Sequence, residues 1–180
     1  MIKITEKVIQ SLLIDWSMQR GGCQAACPNV TRDAHPRVID WEADLLTVNR
    51  SGYLSEYEIK CSKSDYLKDS QKVFKMQSLL EAHAHYGKRL PHPEKIPNYF
   101  YYVTLFEIDP PQWAGWIRIE PMLYSSKFSL LVVIEKRAPL LHSGRVGESQ
   151  IDTLARLLSY RLSHSYRELY PYTEKFKDKD

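Results

Sequence analysis

The six residues Glu56-Tyr57-Glu58-Ile59-Lys60-Cys61 alternate charged and apolar side chains. In an extended chain successive side chains point to opposite faces, so Glu56, Glu58 and Lys60 share one face and Tyr57, Ile59 and Cys61 the other. Three charges in line on a strand that otherwise reads as interior are costly unless they are solvated, paired or bound to metal. The segment before it carries the same feature, with Glu42 and Asp44 standing amid Ala43, Leu45, Leu46 and Val48. Two carboxylates on adjacent strands, with an ammonium two residues beyond one of them, can hold a hard divalent cation. Mg²⁺ suits such a site because it accepts one or two carboxylates and keeps waters that can be aimed for attack. The same residues can instead form an exposed face laced by cross-strand ion pairs, such as Lys60 with Glu42 or Asp44. Pattern alone leaves both open.

Other residue types narrow the choice. Between Lys60 and Lys95 eight basic residues stand against four acidic ones, and this segment holds the whole positive excess of a chain with net charge +3. Lys63, Lys68, Lys72 and Lys75 make a basic track there that can face a phosphate backbone or simply be a solvated helix face. With 7 glycines and no Gly-rich loop, nucleoside-triphosphate chemistry is not expected. Cys23 and Cys27 with His35 suggest zinc only weakly, since no second Cys pair accompanies them. His83 and His85 diverge by about 200° on a helix, which works against joint ligation. Cys61 reads as a small buried hydrophobe. The Tyr99-Phe100-Tyr101-Tyr102 run suits a packed central strand more than base stacking.

The elements that must position these residues follow from periodicity. Val8, Ile9, Leu12, Leu13 and Trp16 mark a first helix. Residues 21–37, with Gly21, Gly22, Pro28, Asn29 and Pro36, read as an irregular loop. Extended runs over 38–48 and 53–61 flank the turn chemistry of Asn49-Arg50-Ser51-Gly52 and predict a hairpin. The Ser62 to Asp65 segment offers a helix N-cap, and Tyr66, Val73, Gln77, Leu80 and Ala84 predict one helix over about 64–84. Gly87 and prolines 91, 93 and 97 end it. Strands are expected over 99–106, 114–119 and 130–135, and Ile151, Leu154, Leu158, Leu162 and Leu169 mark a C-terminal helix with a frayed tail over 174–180. At 180 residues this is one α/β (α+β) domain around a single sheet. The longest apolar run, around 129–134, is far short of a membrane span. The N-terminus does not read as a secretory signal, and three cysteines with no framework fit a reducing, cytoplasmic location.

Asp44 followed by Glu58-Ile59-Lys60 resembles the PD-(D/E)XK nuclease superfamily. The likeness spans roughly 1–142 and is densest in WEADLLTVNRSGYLSEYEIKCSKSDYLKDSQK, residues 41–72, which is similar to phage and bacterial nuclease-like proteins related to the DNA-repair protein MmcB. Pro97-Asn98-Tyr99-Phe100-Tyr101-Tyr102, Trp113-Ala114-Gly115 and Lys136-Arg137-Ala138-Pro139-Leu140-Leu141-His142 look similar too. Ala43 stands where the superfamily's nominal motif has Pro.

The resemblance implies a restriction-endonuclease-like core, a central mixed sheet flanked by helices in helix-β-β-α-β order with extra C-terminal strands and a helix. It implies a Mg²⁺- or Mn²⁺-dependent deoxyribonuclease in phage or bacterial DNA processing or repair. Asp44 and Glu58 would be metal ligands, with the Ile59 carbonyl as a third. Lys60 would orient or help deprotonate the attacking water and steady the phosphate. Glu6 of the first helix, or Gln10 one turn on, would complete the site, and Lys72 would contact the DNA backbone near Asp65 and Asp69. The partner would be DNA, with a homodimer left open and no membrane. Nuclease folds also serve as catalytically silent DNA- or protein-binding modules, which is the alternative expectation.

Overall fold

The computed structural model describes residues 4–19, 22–31, 38–86, 95–124 and 127–169. The elements run α1 (Glu6–Gln19), β1 (Cys23–Val30), β2 (Ala43–Asn49), β3 (Leu54–Lys60), α2 (Lys63–Lys68), a 3-10 turn (Asp69–Gln71), α3 (Val73–Ala84), β4 (Tyr99–Thr104), β5 (Gly115–Tyr124), β6 (Lys127–Lys136) and α4 (Glu148–Leu169). The six strands form one sheet in chain order, β1-β2-β3-β4-β5-β6. β3, β4 and β5 are parallel neighbours and the other pairings are antiparallel, so the sheet is mixed. No helix among the described residues is long and apolar enough to cross a membrane.

Helices cover both faces. On one, Ile9 and Leu13 of α1 pack with Leu45, Tyr57, Ile59, Val103 and Ile117. On the other, Leu79 and Ala82 of α3 and Leu154 and Leu157 of α4 pack with Leu46, Val48, Phe100 and Tyr102. Burying a side chain such as Ile9 or Leu13 completely contributes about 1.5–3 kcal/mol. The aromatic run of β4 is core: Phe100 and Tyr102 face α3, and Tyr101 stacks on Tyr57 at 5.6 Å on the opposite face.

Three expectations are corrected. Cys23–Val30 is a strand and not a loop. It lies at the sheet edge and pairs with β2 alone, so Pro28 forfeits no ladder bond that the sheet needs. Asn29 there takes a left-handed conformation, φ 50°, which Asn tolerates. Its C-terminal end is tied down: Gln10 donates to Asn29 Oδ1 at 2.8 Å, and Arg161 of α4 donates to the Pro28 and Asn29 carbonyls. The strand also settles the cysteines, because a bulge between Cys23 and Ala25 leaves Cys23 against the α1 side and Cys27 in the core on the α4 side. They cannot chelate one ion.

Second, the helix expected over 64–84 is two helices, broken where Lys72 leaves helical geometry at ψ 60°. Ser62 caps the first, accepting from the Asp65 amide at 3.2 Å. Val73, Gln77, Leu80 and Ala84 mark the exposed face of α3, whereas Lys75, Leu79 and Ala82 are buried. Third, Cys61 is exposed, because β3 ends at Lys60 and the chain turns there into the Ser62 cap. His35, His92, Gly87, prolines 91 and 93 and the 174–180 tail lie outside the described residues.

Candidate active site

The hairpin forms as its turn residues require: Asn49 Oδ1 accepts from the Ser51 and Tyr53 amides, and Gly52 adopts φ 77°, a left-handed value glycine takes without strain. It fixes the register Leu45↔Tyr57, after which β2 and β3 part. At the opening Asp44 Oδ2 accepts from the Ile59 amide at 2.7 Å, in place of a strand carbonyl. Gln10 of α1 donates to the Asp44 carbonyl at 2.9 Å and to Glu6 Oε1 at 3.0 Å, so one side chain positions the first-helix acid over β2.

On β3 the alternation holds. Tyr57 and Ile59 enter the core beneath α1, and Glu56, Glu58 and Lys60 face α3, all three buried. They are not an exposed salt-bridged face. Glu58 Oε1 lies 2.6 Å from Lys60 Nζ and 2.5 Å from Lys72 Nζ, and its Oε2 lies 2.5 Å from Lys75 Nζ. Lys75 also pairs with Glu56 at 2.5 Å, and Lys60 with Asp69 at 2.7 Å. Glu56 accepts from Trp41 Nε1 through both oxygens, at 3.1 and 2.9 Å. Three carboxylates thus alternate with three ammoniums beneath α3. The helix break makes this possible: residues six apart on one helix lie about 120° apart, so Asp69 and Lys75 could not both face the sheet without it.

Burial pushes the Glu56 carboxyl up to about 7, even with Lys75 opposing it. Burial acts on Glu58 in the same sense, but Lys75, Lys60 and Lys72 together outweigh it and hold that carboxyl well below its usual range. Burial would lower the Lys60 pKa, yet Glu58 and Asp69 raise it, so Lys60 stands as an ammonium. Asp44 differs. Burial, then the neighbouring Glu58, and also Glu6, push it up to about 6, with the Ile59 amide and Lys60 only partly offsetting them.

The structure therefore brings together Asp44, Glu58, Ile59 and Lys60, with Glu6 in electrostatic reach and Gln10 as the bridge. It does not leave Lys75 on a basic track: the residue is 3% exposed, locked between Glu56 and Glu58, and out of reach of a phosphate backbone. Lys72 is half-exposed and already paired with Glu58, while Lys63 and Lys68 lie exposed on α2. Sequence reasoning gave no role to Trp41, and the spacing 75, 79, 82 of the buried α3 face was the signal that Lys75 points inward. Among the described residues no three His, Cys, Asp or Glu side chains converge as a ready-made metal cage. Asp44 and Glu58 still suit Mg²⁺, which takes few protein ligands.

No protein-family model and no curated protein matches the sequence. Among solved structures the chain is similar to the SPO1766 protein of unknown function from Silicibacter pomeroyi, at 12% identity and a TM-score of 0.54, over 98% of this chain and 100% of that one. At this identity the likeness is one of fold, and what it supports is a mixed α+β chain built on a six-stranded mixed sheet flanked by helices.

Proposed function

We propose that this chain is a Mg²⁺- or Mn²⁺-dependent deoxyribonuclease with a restriction-endonuclease-like core and a reaction centre at Asp44, Glu58 and Lys60. One observation carries the reading: where β2 and β3 part, Asp44 Oδ2 accepts from the Ile59 amide on the strand that carries Glu58 and Lys60, and among the described residues Asp44, unlike Glu58, has no ammonium at ion-pair distance. That uncompensated charge is what a divalent cation relieves, so the donor set fits one. Asp44, Glu58 and the Ile59 carbonyl would hold the ion, with Glu6 supporting it from α1. When bound it supplies a Lewis acid for the phosphate and an acidified water. Lys60, held protonated, serves as a hydrogen-bond donor and a positive charge toward the phosphate as negative charge builds there, and is not a base. Lys72 is 45% exposed at its side chain, and of the three lysines on Glu58 it has solvent to swing into when Glu58 turns to the ion.

A second reading, a catalytically silent nuclease-fold module, is favoured by the three ammoniums that already neutralise Glu58. Titration calorimetry with Mn²⁺ separates the two. The nuclease reading expects binding by the wild type that Asp44→Asn and Glu58→Gln each abolish. A wild type that takes no Mn²⁺, or an Asp44→Asn variant that binds it unchanged, leaves the silent module.

A further inference from the structure

Beside the ionic network, the approach to β2 and the start of α3 line an open cleft of about 540 Å³. This lies within the roughly 300–1,000 Å³ of small-ligand clefts. Trp41 and Phe74 line it as an edge-to-face pair with ring centroids 6.4 Å apart. Trp41 is fixed by its two contacts to Glu56, whereas Phe74 is 64% exposed and its neighbour Val73 65%. Two adjacent large apolar side chains standing in solvent on one turn, next to an immobilised indole, are a surface prepared for a flat apolar ligand. Glu42 and Gln71 add polar groups at the rim, and Lys72 adds a charge.

Lys72 connects the two sites. It lines the pocket while its ammonium lies 2.5 Å from Glu58, so the aromatic pair stands one lysine side chain away from the proposed reaction centre. We infer that the pocket seats an unpaired nucleobase of single-stranded DNA, stacked on Phe74, with the adjoining phosphate at Lys72. The inference rests on the nuclease reading and gives it a substrate class. A duplex keeps its base faces stacked inside and offers Phe74 none, whereas a single strand presents one at every nucleotide. Lys63 and Lys68 of α2 are exposed and can add positive charge for the strand's phosphates.

Fluorescence anisotropy in EDTA tests this without cleavage, using a short labelled oligothymidylate and a hairpin duplex of equal length. Phe74→Ala is expected to weaken oligothymidylate binding about tenfold and to leave the duplex within about twofold, with Phe74→Trp restoring affinity. Phe74 is exposed, so the variants fold. The inference is overturned if the wild type does not bind the single strand, if Phe74→Ala binds it as the wild type does, or if both DNAs lose affinity alike. A change in self-association at constant DNA affinity would assign the patch to a protein contact instead. Failure of the nuclease reading shows elsewhere: if Phe74 is needed for binding but no metal-dependent cutting depends on Lys60, the pocket stands and the reaction centre falls.

Discussion

Lys75→Met removes one buried ammonium while keeping the length of its aliphatic chain. Lys75 is 3% exposed and lies 2.5 Å from both Glu56 and Glu58. Glu58 retains Lys60 and Lys72, but Glu56 is left with the Trp41 N–H alone. Breaking a buried pair from one side costs about 3–5 kcal/mol, a large part of the 5–15 kcal/mol that holds a domain together. The cost depends on pH. Glu56 has a folded-state pKa of about 7, above its ordinary value, so the folded chain binds the extra proton and gains stability as pH falls from 8. At 1.36 kcal/mol per unit, the wild type gains about 2 kcal/mol from this group between pH 8 and 5.5. Without Lys75 the Glu56 pKa rises further and the gain approaches about 3 kcal/mol, so the variant's deficit narrows by about 1 kcal/mol. Urea unfolding in metal-free buffer at the two pH values reads both quantities. A deficit under about 1 kcal/mol at pH 8, or weaker DNA binding with full stability, would refute the buried network and return Lys75 to the surface track.

Two further outcomes follow from the same geometry. Wild-type stability in metal-free buffer should rise by about 2–3 kcal/mol from pH 8 to 5.5, because Glu56 and Asp44 are both raised; Glu58, depressed, gives way only as pH falls below its ordinary value, so a urea series should peak at about pH 4. Gly115→Ala should lower the melting temperature sharply. Its Cβ would stand 2.5 Å from the Ala138 amide nitrogen and the Tyr101 ring, backbone and stacked aromatic that cannot yield, at a cost of about 1–3 kcal/mol or more; an unchanged melting temperature would contradict the tight β4–β5 approach.

What could be read in the sequence was local. Asn49-Arg50-Ser51-Gly52 specified the hairpin, period-2 alternation set Glu56, Glu58 and Lys60 on one face, and i, i+3, i+4 spacing marked α1 and α4. What escaped depends on partners far along the chain. β1 hides behind Pro28 and Asn29, which only an edge position and the Gln10 and Arg161 clamps accommodate. The 69–72 break serves a pairing between Asp69 and Lys60 that helix propensity does not register. Lys75 reads as a surface lysine until Glu56 and Glu58 are placed opposite it, though its spacing to Leu79 and Ala82 carries the signal. The spacing Val73, Gln77, Leu80 and Ala84 picks the outer face of α3 because Val73 and Leu80, apolar by type, stand in solvent.

A phosphodiesterase centre at Asp44, Glu58 and Lys60 is tested most directly by cleavage of circular single-stranded and circular duplex DNA. The reactions contain Mg²⁺, Mn²⁺ or EDTA, with wild type set against Lys60→Ala. Cutting by the wild type is expected to need the metal and to be lost in Lys60→Ala while DNA binding remains. Equal cutting by both proteins, or firm DNA binding by the wild type with no cutting under any metal, would contradict it.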